Sequence, residues 1–337
     1  MSSIDQPAVD SPRAASPSSI FGLQPAWLGS GRVRSLIVWA AFGLLSLIWG
    51  SSYLFIRIGI RQLSPESLVA GRLLVGFAVI AIIVAARRIS IRVDRRVLVL
   101  LVVQGAINTA IPFLLISFGE VHVPSGLAAV LNGTVPIFTM LLAGLFLRDE
   151  PLSGRRLMGA AVGFLGVLVL MSGSSFAGSG TGPLLGEVLI LLSSVSYGCG
   201  AVFARRLLRG VPSMTIAFWA VLFAAVESAI VATVTGPTSP GHLGPQSIFA
   251  ILWLGILGSG IAYVLAYFVL SQWGASRLTL VAYAMPAVGL VLGITFLREP
   301  LEWSIGLGFL LIVGSIAAVS ARRAPRKSTT IANPKGT

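Results

Sequence analysis

The chain has 337 residues, of which 55% are hydrophobic and only 10% charged, with a mean hydropathy of +0.93. So few charges cannot cover a water-soluble surface, and most of the exterior has to face a lipid bilayer. A net charge of +13 does not point to nucleic acid, because the basic residues lie between apolar runs, and the single Cys199 excludes an internal disulfide or a cysteine-rich metal site.

Residues 1–34 are rich in Ser, Pro and Ala and predict a disordered tail. Arg32 and Arg34 then precede an apolar run with no clear small-residue cleavage site after it, which reads as an uncleaved first span and not as a signal peptide. A helix needs about 20 apolar residues to cross a bilayer. Ten stretches qualify: 35–56, 66–86, 97–119, 125–147, 154–173, 183–204, 213–235, 247–270, 276–297 and 302–321. Residues 322–337 form a second polar tail, and His122 and His242 both fall in predicted loops. Lipid offers no partner for exposed backbone amides, so the fold class is an all-α integral membrane bundle, joined up-and-down by short loops.

The same segment is written twice. LLSLIWGSSYLFIR at 44–57 aligns with LSSVSYGCGAVFAR at 192–205, sharing Leu44/Leu192, Ser46/Ser194, Gly50/Gly198, Phe55/Phe203 and Arg57/Arg205, with Trp49 opposite Tyr197. Downstream, PIFTMLLAGLFLRDEPL at 136–152 is answered by PAVGLVLGITFLREPL at 286–301. Residues 35–173 and 183–321 are therefore two repeats of five spans, the layout of a carrier built by duplication. One departure stands out: the position matching Arg72 in the second copy is Ala220.

Five is an odd number, so the second copy enters the membrane with opposite polarity and the ten helices form two inverted five-helix repeats. With the N-terminus in the cytoplasm, 20 of the 24 basic residues fall in inside segments, Arg87 to Arg96 and the C-terminal tail prominent among them. Only Arg57, Arg61 and Arg298 lie outside, and Arg72 sits within a span. This asymmetry predicts that both termini are cytoplasmic.

These motifs resemble the ten-span EamA-type branch of the drug/metabolite transporter superfamily. The likeness rests on WGSSYLFIR at 49–57, the Pro65 to Arg72 spacing, Ser125 through Pro136 followed by Glu150-Pro151, Gly186-Glu187, and Pro286 with Glu299-Pro300. It covers about residues 35 to 321. The resemblance implies an inner-membrane carrier, often an exporter of amino acids, related metabolites or cationic toxic compounds. An exporter of amino acids or related compounds working by alternating access is the expectation. A multidrug or organic-cation efflux carrier is the alternative, and a non-transport membrane protein is a further one. The partners expected are a small-molecule substrate and the bilayer, with protons as a candidate coupling ion and a monomer or homodimer as the assembly.

Charges within spans are rare because hydrocarbon disfavours them by about 2.5–3.5 kcal/mol on insertion scales. Arg72 has two readings, a cavity cation for a substrate carboxylate or a residue snorkelling to the headgroups. Glu227, near the middle of the seventh span, is a candidate for binding and releasing protons, or else a neutral interhelical hydrogen-bonding group. Glu187 lies at a span edge. Polar and aromatic residues outline a candidate binding site: Trp49, Ser52, Arg72, Gln104, Asn108, Asn132, Tyr197, Tyr263, Tyr267 and Tyr283. Gln104 and Asn108 are four apart and share a helix face, as do Tyr263 and Tyr267. Interhelical hydrogen bonding is the alternative role for each.

Pro136 and Pro286 occupy equivalent repeat positions and are candidates for hinging or for shaping the cavity wall, a static kink being the other reading. The Glu150-Pro151 and Glu299-Pro300 turns are explained by helix termination, with a gating role as the sharper reading. No converging acid, base, nucleophile or metal ligands appear, no Gly-rich phosphate loop is present, and no aspartate lies within a span, so neither an enzyme nor a cofactor is expected.

Overall fold

The computed structural model describes residues 31–147, 152–176, 181–236, 243–273, 278 and 280–320. The tails from 1 to 30 and 321 to 337, Arg148, the Glu150-Pro151 turn and His242 lie outside the described residues. Ten helical spans follow in order: α1 Gly31–Gly59, α2 Pro65–Ala86, α3 Arg95–His122, α4 Ser125–Phe146, α5 Gly154–Phe176, α6 Thr181–Leu207, α7 Ser213–Thr235, α8 245–273, α9 Val281–Leu297 and α10 Trp303–Ser320. The first helix begins before the expected boundary and takes in Arg32 and Arg34. The third runs past its expected end, so that His122 closes a helix and is not in a loop. Eight of the ten are long and apolar enough to cross a membrane, and α9 and α10 are shorter apolar helices.

Local chemistry sets the starts. Pro65 opens α2, where a missing amide costs nothing. Asp94 caps α3, its Oδ1 accepting from the Val97 amide at 2.7 Å. Large apolar side chains remain on the outside of the bundle, with Val234 79% and Phe296 72% exposed, as lipid-facing helices require.

The packing obeys an inverted twofold relation. Spans α1 and α9 are neighbours, as are α4 and α6, and α1 against α8 is matched by α6 against α3. The pairs α2–α7 and α5–α10 map onto themselves. The inversion is visible at the ends. At one end, Thr215 and Trp219 of α7 donate to the carbonyls of Ser90 and Ile91 in the α2–α3 connection. At the other, Gln62 of the α1–α2 turn accepts from the Ser247 amide at the start of α8. The starts of α3 and α8, equivalent in sequence, thus lie at opposite ends.

The repeated glycines explain the cross-packing. A Cβ on Gly50 would sit 2.6 Å from Val288 Cβ and 2.9 Å from the Met285 carbonyl oxygen, so α1 and α9 cross in close backbone contact. Its counterpart Gly198 brings α6 against Thr139 and Phe138 of α4. Gly50→Leu is expected to destabilise the bundle by about 1–3 kcal/mol through overpacking, read as a lower melting temperature in detergent. Gly43→Leu, where nothing lies within 4 Å of the new Cβ, is expected to leave it unchanged.

Candidate functional site

Three interruptions of helix regularity meet at mid-depth. In α3, residues Ala106–Ala110 form a π-helical segment, and the Ser196 hydroxyl of α6 donates to the Ile107 carbonyl at 2.6 Å. In α8, Trp253–Ile261 forms a second π segment, from which the Gly258 carbonyl accepts from the Trp49 indole at 3.2 Å. Asn108 and Gly258, one in each segment, are 150 residues apart, as are Phe113 and Tyr263, so the two irregularities occupy equivalent places in the repeats. Such π segments recur at functional sites because the extra residue re-aims side chains and frees carbonyls. The third interruption is α4, which breaks at Gly133–Thr134 into Ser125–Asn132 and Val135–Phe146.

A cavity of about 320 Å³ lies among these breaks. From the first repeat it is lined by Trp49, Ser52, Tyr53 and Ile56 of α1, Arg72 of α2, Asn108, Phe113 and Ile116 of α3, and Ala129, Asn132, Gly133, Val135 and Pro136 of α4. From the second repeat come Tyr197, Gly258, Tyr263, Ala282, Met285 and Pro286. A volume at the small end of the ligand-pocket range suits a compact metabolite.

Among the described residues, Arg72 is the one charged residue in this lining. It is 3% exposed, so the snorkelling reading fails: the guanidinium stays inside the bundle. Its carbon lies 4.0 Å from the centroid of the Phe113 ring, a cation–π contact, and its Nη2 donates to the Ser259 hydroxyl at 3.4 Å. The Nε has no hydrogen-bond partner among the described residues. A buried guanidinium with unused donors is chemically suited to a carboxylate.

Of the expected site residues, Trp49, Ser52, Arg72, Asn108, Asn132, Tyr197, Tyr263, Pro136 and Pro286 converge on the cavity. Gln104 is buried outside the lining, one turn before Asn108. Tyr283 packs against the larger hydrophobic core. Glu227 is half-buried on α7 and does not line the cavity. The side chain of Tyr267 lies outside the described residues. Pro136 follows the break in α4, whereas Pro286 sits inside the continuous helix α9.

Asn132 is largely committed to the protein. Its Nδ2 donates to the Tyr53 hydroxyl at 2.6 Å, and its Oδ1 accepts from Ser194 at 3.1 Å and Ser193 at 3.3 Å. It joins α1, α4 and α6, leaving one amide N–H unused by these bonds. Asn132→Ala is therefore expected to lower the melting temperature in detergent, because Tyr53 and both serines lose a buried partner.

Sequence reasoning did not single out Tyr53, Phe113 and Glu120. Phe113 was findable as the repeat counterpart of Tyr263. Glu120 lies just past the expected edge of the third span, yet it is fully buried in the last turns of α3. Arg57 donates from its Nη1 to the Glu120 carbonyl. At the same end of the bundle, Glu299 from the α9–α10 connection caps the N-terminus of α4. Its Oε1 accepts from the Ser125 amide at 2.8 Å and hydroxyl at 2.9 Å, and its Oε2 from the Gly126 amide at 2.8 Å. The second repeat thereby holds a helix of the first whose other end, Asn132–Gly133, lines the cavity.

The sequence profile of the EamA-like transporter family matches residues 36–172 and 184–321, one copy on each half. The chain belongs to the EamA-like transporter family. It is a multi-pass membrane transporter of two inverted EamA repeats. It is 24% identical over 268 residues to the Bacillus subtilis "Uncharacterized transporter YoaV", covering 80% of this chain and 91% of that one. It is 28% identical over 303 residues to the Escherichia coli K12 "Uncharacterized inner membrane transporter YedA", covering 88% and 95%. It is 27% identical over 272 residues to the Streptantibioticus cattleyicolor "Probable terminal-alkyne amino-acid exporter", covering 79% and 86%. A solved crystal structure at 22% identity superposes with a TM-score of 0.60 over 86% of this chain and 98% of that one, which shows a shared fold.

Proposed function

We propose that this EamA-type transporter exports amino acids or closely related small carboxylates across the inner membrane by alternating access, with Arg72 as the carboxylate anchor. The observation that carries the reading is the charge of the cavity: among the described residues, its lining holds one buried guanidinium with an unused Nε donor and no acidic side chain. An organic cation would meet a like charge there, at a cost that a low-dielectric site magnifies. The aromatic faces of Trp49, Tyr197 and Tyr263 supply apolar contact for a side chain. The name of the Streptantibioticus relative supports the same substrate class. Both termini are cytoplasmic in this proposal, on the strength of the distribution of basic residues, which puts the α1–α2 turn and Glu299 at the outer face.

Counterflow in liposomes containing the purified chain tests it. A panel of labelled amino acids and labelled tetraphenylphosphonium are compared in wild type and Arg72→Ala. Accumulation of at least one amino acid, lost in the variant, is the expected result. Accumulation of the cation alone would overturn the proposal in favour of cation efflux.

A further inference from the structure

Arg72 accounts for one half of an amino-acid headgroup, and the ammonium beside the carboxylate needs an acceptor. Among the described residues the cavity lining holds no carboxylate, so neutral oxygens and aromatic rings have to serve. One place in the lining supplies both halves of the chemistry. A Cβ built on Gly258 would lie 3.5 Å from Ser52 Oγ and 3.6 Å from Arg72 Nη2, and outside its own stretch of helix no other described atom comes within 4 Å. Both are ordinary van der Waals contacts, so the glycine leaves room for a small group between an oxygen and a guanidinium. The Ser52 hydroxyl gives its proton to the Ile48 carbonyl at 3.2 Å, and no described donor is bonded to its oxygen. It therefore leaves lone pairs, not a proton, for the cavity it lines. The Trp49 indole donates to the Gly258 carbonyl at 3.2 Å, which sets that ring beside the same spot.

The repeat counterparts of these residues do not form a second such place. Under the alignment of 44–57 with 192–205, Ser52 corresponds to Gly200, and Gly258 corresponds to Asn108. There the room is filled, because a Cβ on Gly200 would lie 2.6 Å from Asn108 Oδ1 and 2.7 Å from Asn108 Cβ. Ala220 stands where Arg72 would be. The twofold relation of the helices thus ends in one open seat with a cation and one filled seat without.

We propose that Gly258, Ser52 and Arg72 form an α-amino-acid headgroup subsite, in which Arg72 takes the carboxylate and Ser52 Oγ accepts from the ammonium. This rests on the reading of Arg72 as the anchor, and narrows the cargo from small carboxylates in general to those with a free α-amino group. The carboxylate and ammonium of an α-amino acid share one carbon, and the missing side chain at Gly258 leaves the space that carbon needs. A lone organic cation cannot use the seat, because only a zwitterion brings the carboxylate that neutralises Arg72.

Equilibrium binding to the purified full chain in detergent tests this with matched pairs, L-phenylalanine against 3-phenylpropanoate and L-leucine against 4-methylpentanoate, which differ only in the amino group. Wild type is expected to bind the amino acid of at least one pair about ten-fold or more tighter than its partner, the scale of a hydrogen bond to a charged group. Ser52→Ala is expected to lose most of that preference while the des-amino acids bind as before. Binding itself survives, since Arg72 is untouched, so Ser52 variants still saturate at higher concentration. Gly258→Ala, whose methyl enters the seat without a clash, is expected to weaken the amino acids by about ten-fold or more at an unchanged melting temperature. Equal affinity within both pairs in wild type overturns the proposal, as does a preference that Ser52→Ala keeps, or binding by Gly258→Ala that matches wild type. In each of these cases the Arg72 reading stands if Arg72→Ala weakens both members of a pair. If no probe binds, or if Arg72→Ala binds as well as wild type, the anchor reading fails and this inference falls with it.

Discussion

Arg72→Ala is expected to weaken binding of the transported carboxylate by about 30-fold or more, while the protein still inserts and folds. Truncating one partner of a buried, hydrogen-bonded charge pair costs about 2 kcal/mol or more, and each 1.4 kcal/mol (about) is tenfold in affinity. The guanidinium makes one 3.4 Å hydrogen bond and one ring contact, so few specific polar contacts are lost with it. Arg72→Lys is expected to recover only part of the affinity, because an ammonium cannot present two parallel donors to a carboxylate. Equilibrium binding of the labelled substrate to the purified variants checks this. Equal affinity in wild type and Arg72→Ala would remove the anchor role.

Glu299→Ala is expected to have the second large effect, and at a distance from the cavity. The substitution removes an acceptor from the Ser125 and Gly126 amides and the Ser125 hydroxyl together. Leaving buried donors unsatisfied costs about 1–3 kcal/mol, and the favourable charge at a helix N-terminus is lost as well. The melting temperature in detergent should fall, and the α4 segment Ser125–Asn132 should loosen at both its ends. A cysteine at Ser52, in a Cys199→Ser background, should then react faster with a thiol reagent added from the side of the membrane on which Glu299 lies. Glu299→Gln keeps an acceptor without the charge and should fall between. An unchanged melting temperature and labelling rate in Glu299→Ala would mean the cap carries no closure of that end.

The ten spans were legible because hydropathy and length are enough to mark a membrane helix, and the inversion because five is odd and arginine is unevenly distributed. The repeated Gly50 and Gly198 were visible as letters, but their use, seating α1 on α9 and α6 on α4, needed coordinates. Arg72 and the aromatic residues near it stood out because a charge in an apolar run is conspicuous. The π segments did not, since a shift from i→i+4 to i→i+5 bonding leaves no mark in composition. Those two segments nonetheless present Asn108 and Gly258 to the same cavity. The break in α4 fell at Gly133–Thr134, ahead of the proline that drew attention to it. Glu120 escaped because hydropathy ends the third span one residue too soon, whereas the helix continues and buries it. Asn132 was read as a ligand-binding amide, and its three hydrogen bonds give it an additional place in holding three helices together.

Substrate protection at Ser52 tests most directly whether the cavity between the two repeats is where the cargo sits. The Ser52→Cys, Cys199→Ser protein is labelled in liposomes with a thiol reagent, with and without the transported compound. A second protein carrying the cysteine at lipid-exposed Val234 serves as the control. Labelling slowed several-fold at position 52, in proportion to site occupancy, and unchanged at position 234 is the predicted result. Equal labelling at position 52 with and without saturating substrate would contradict the account.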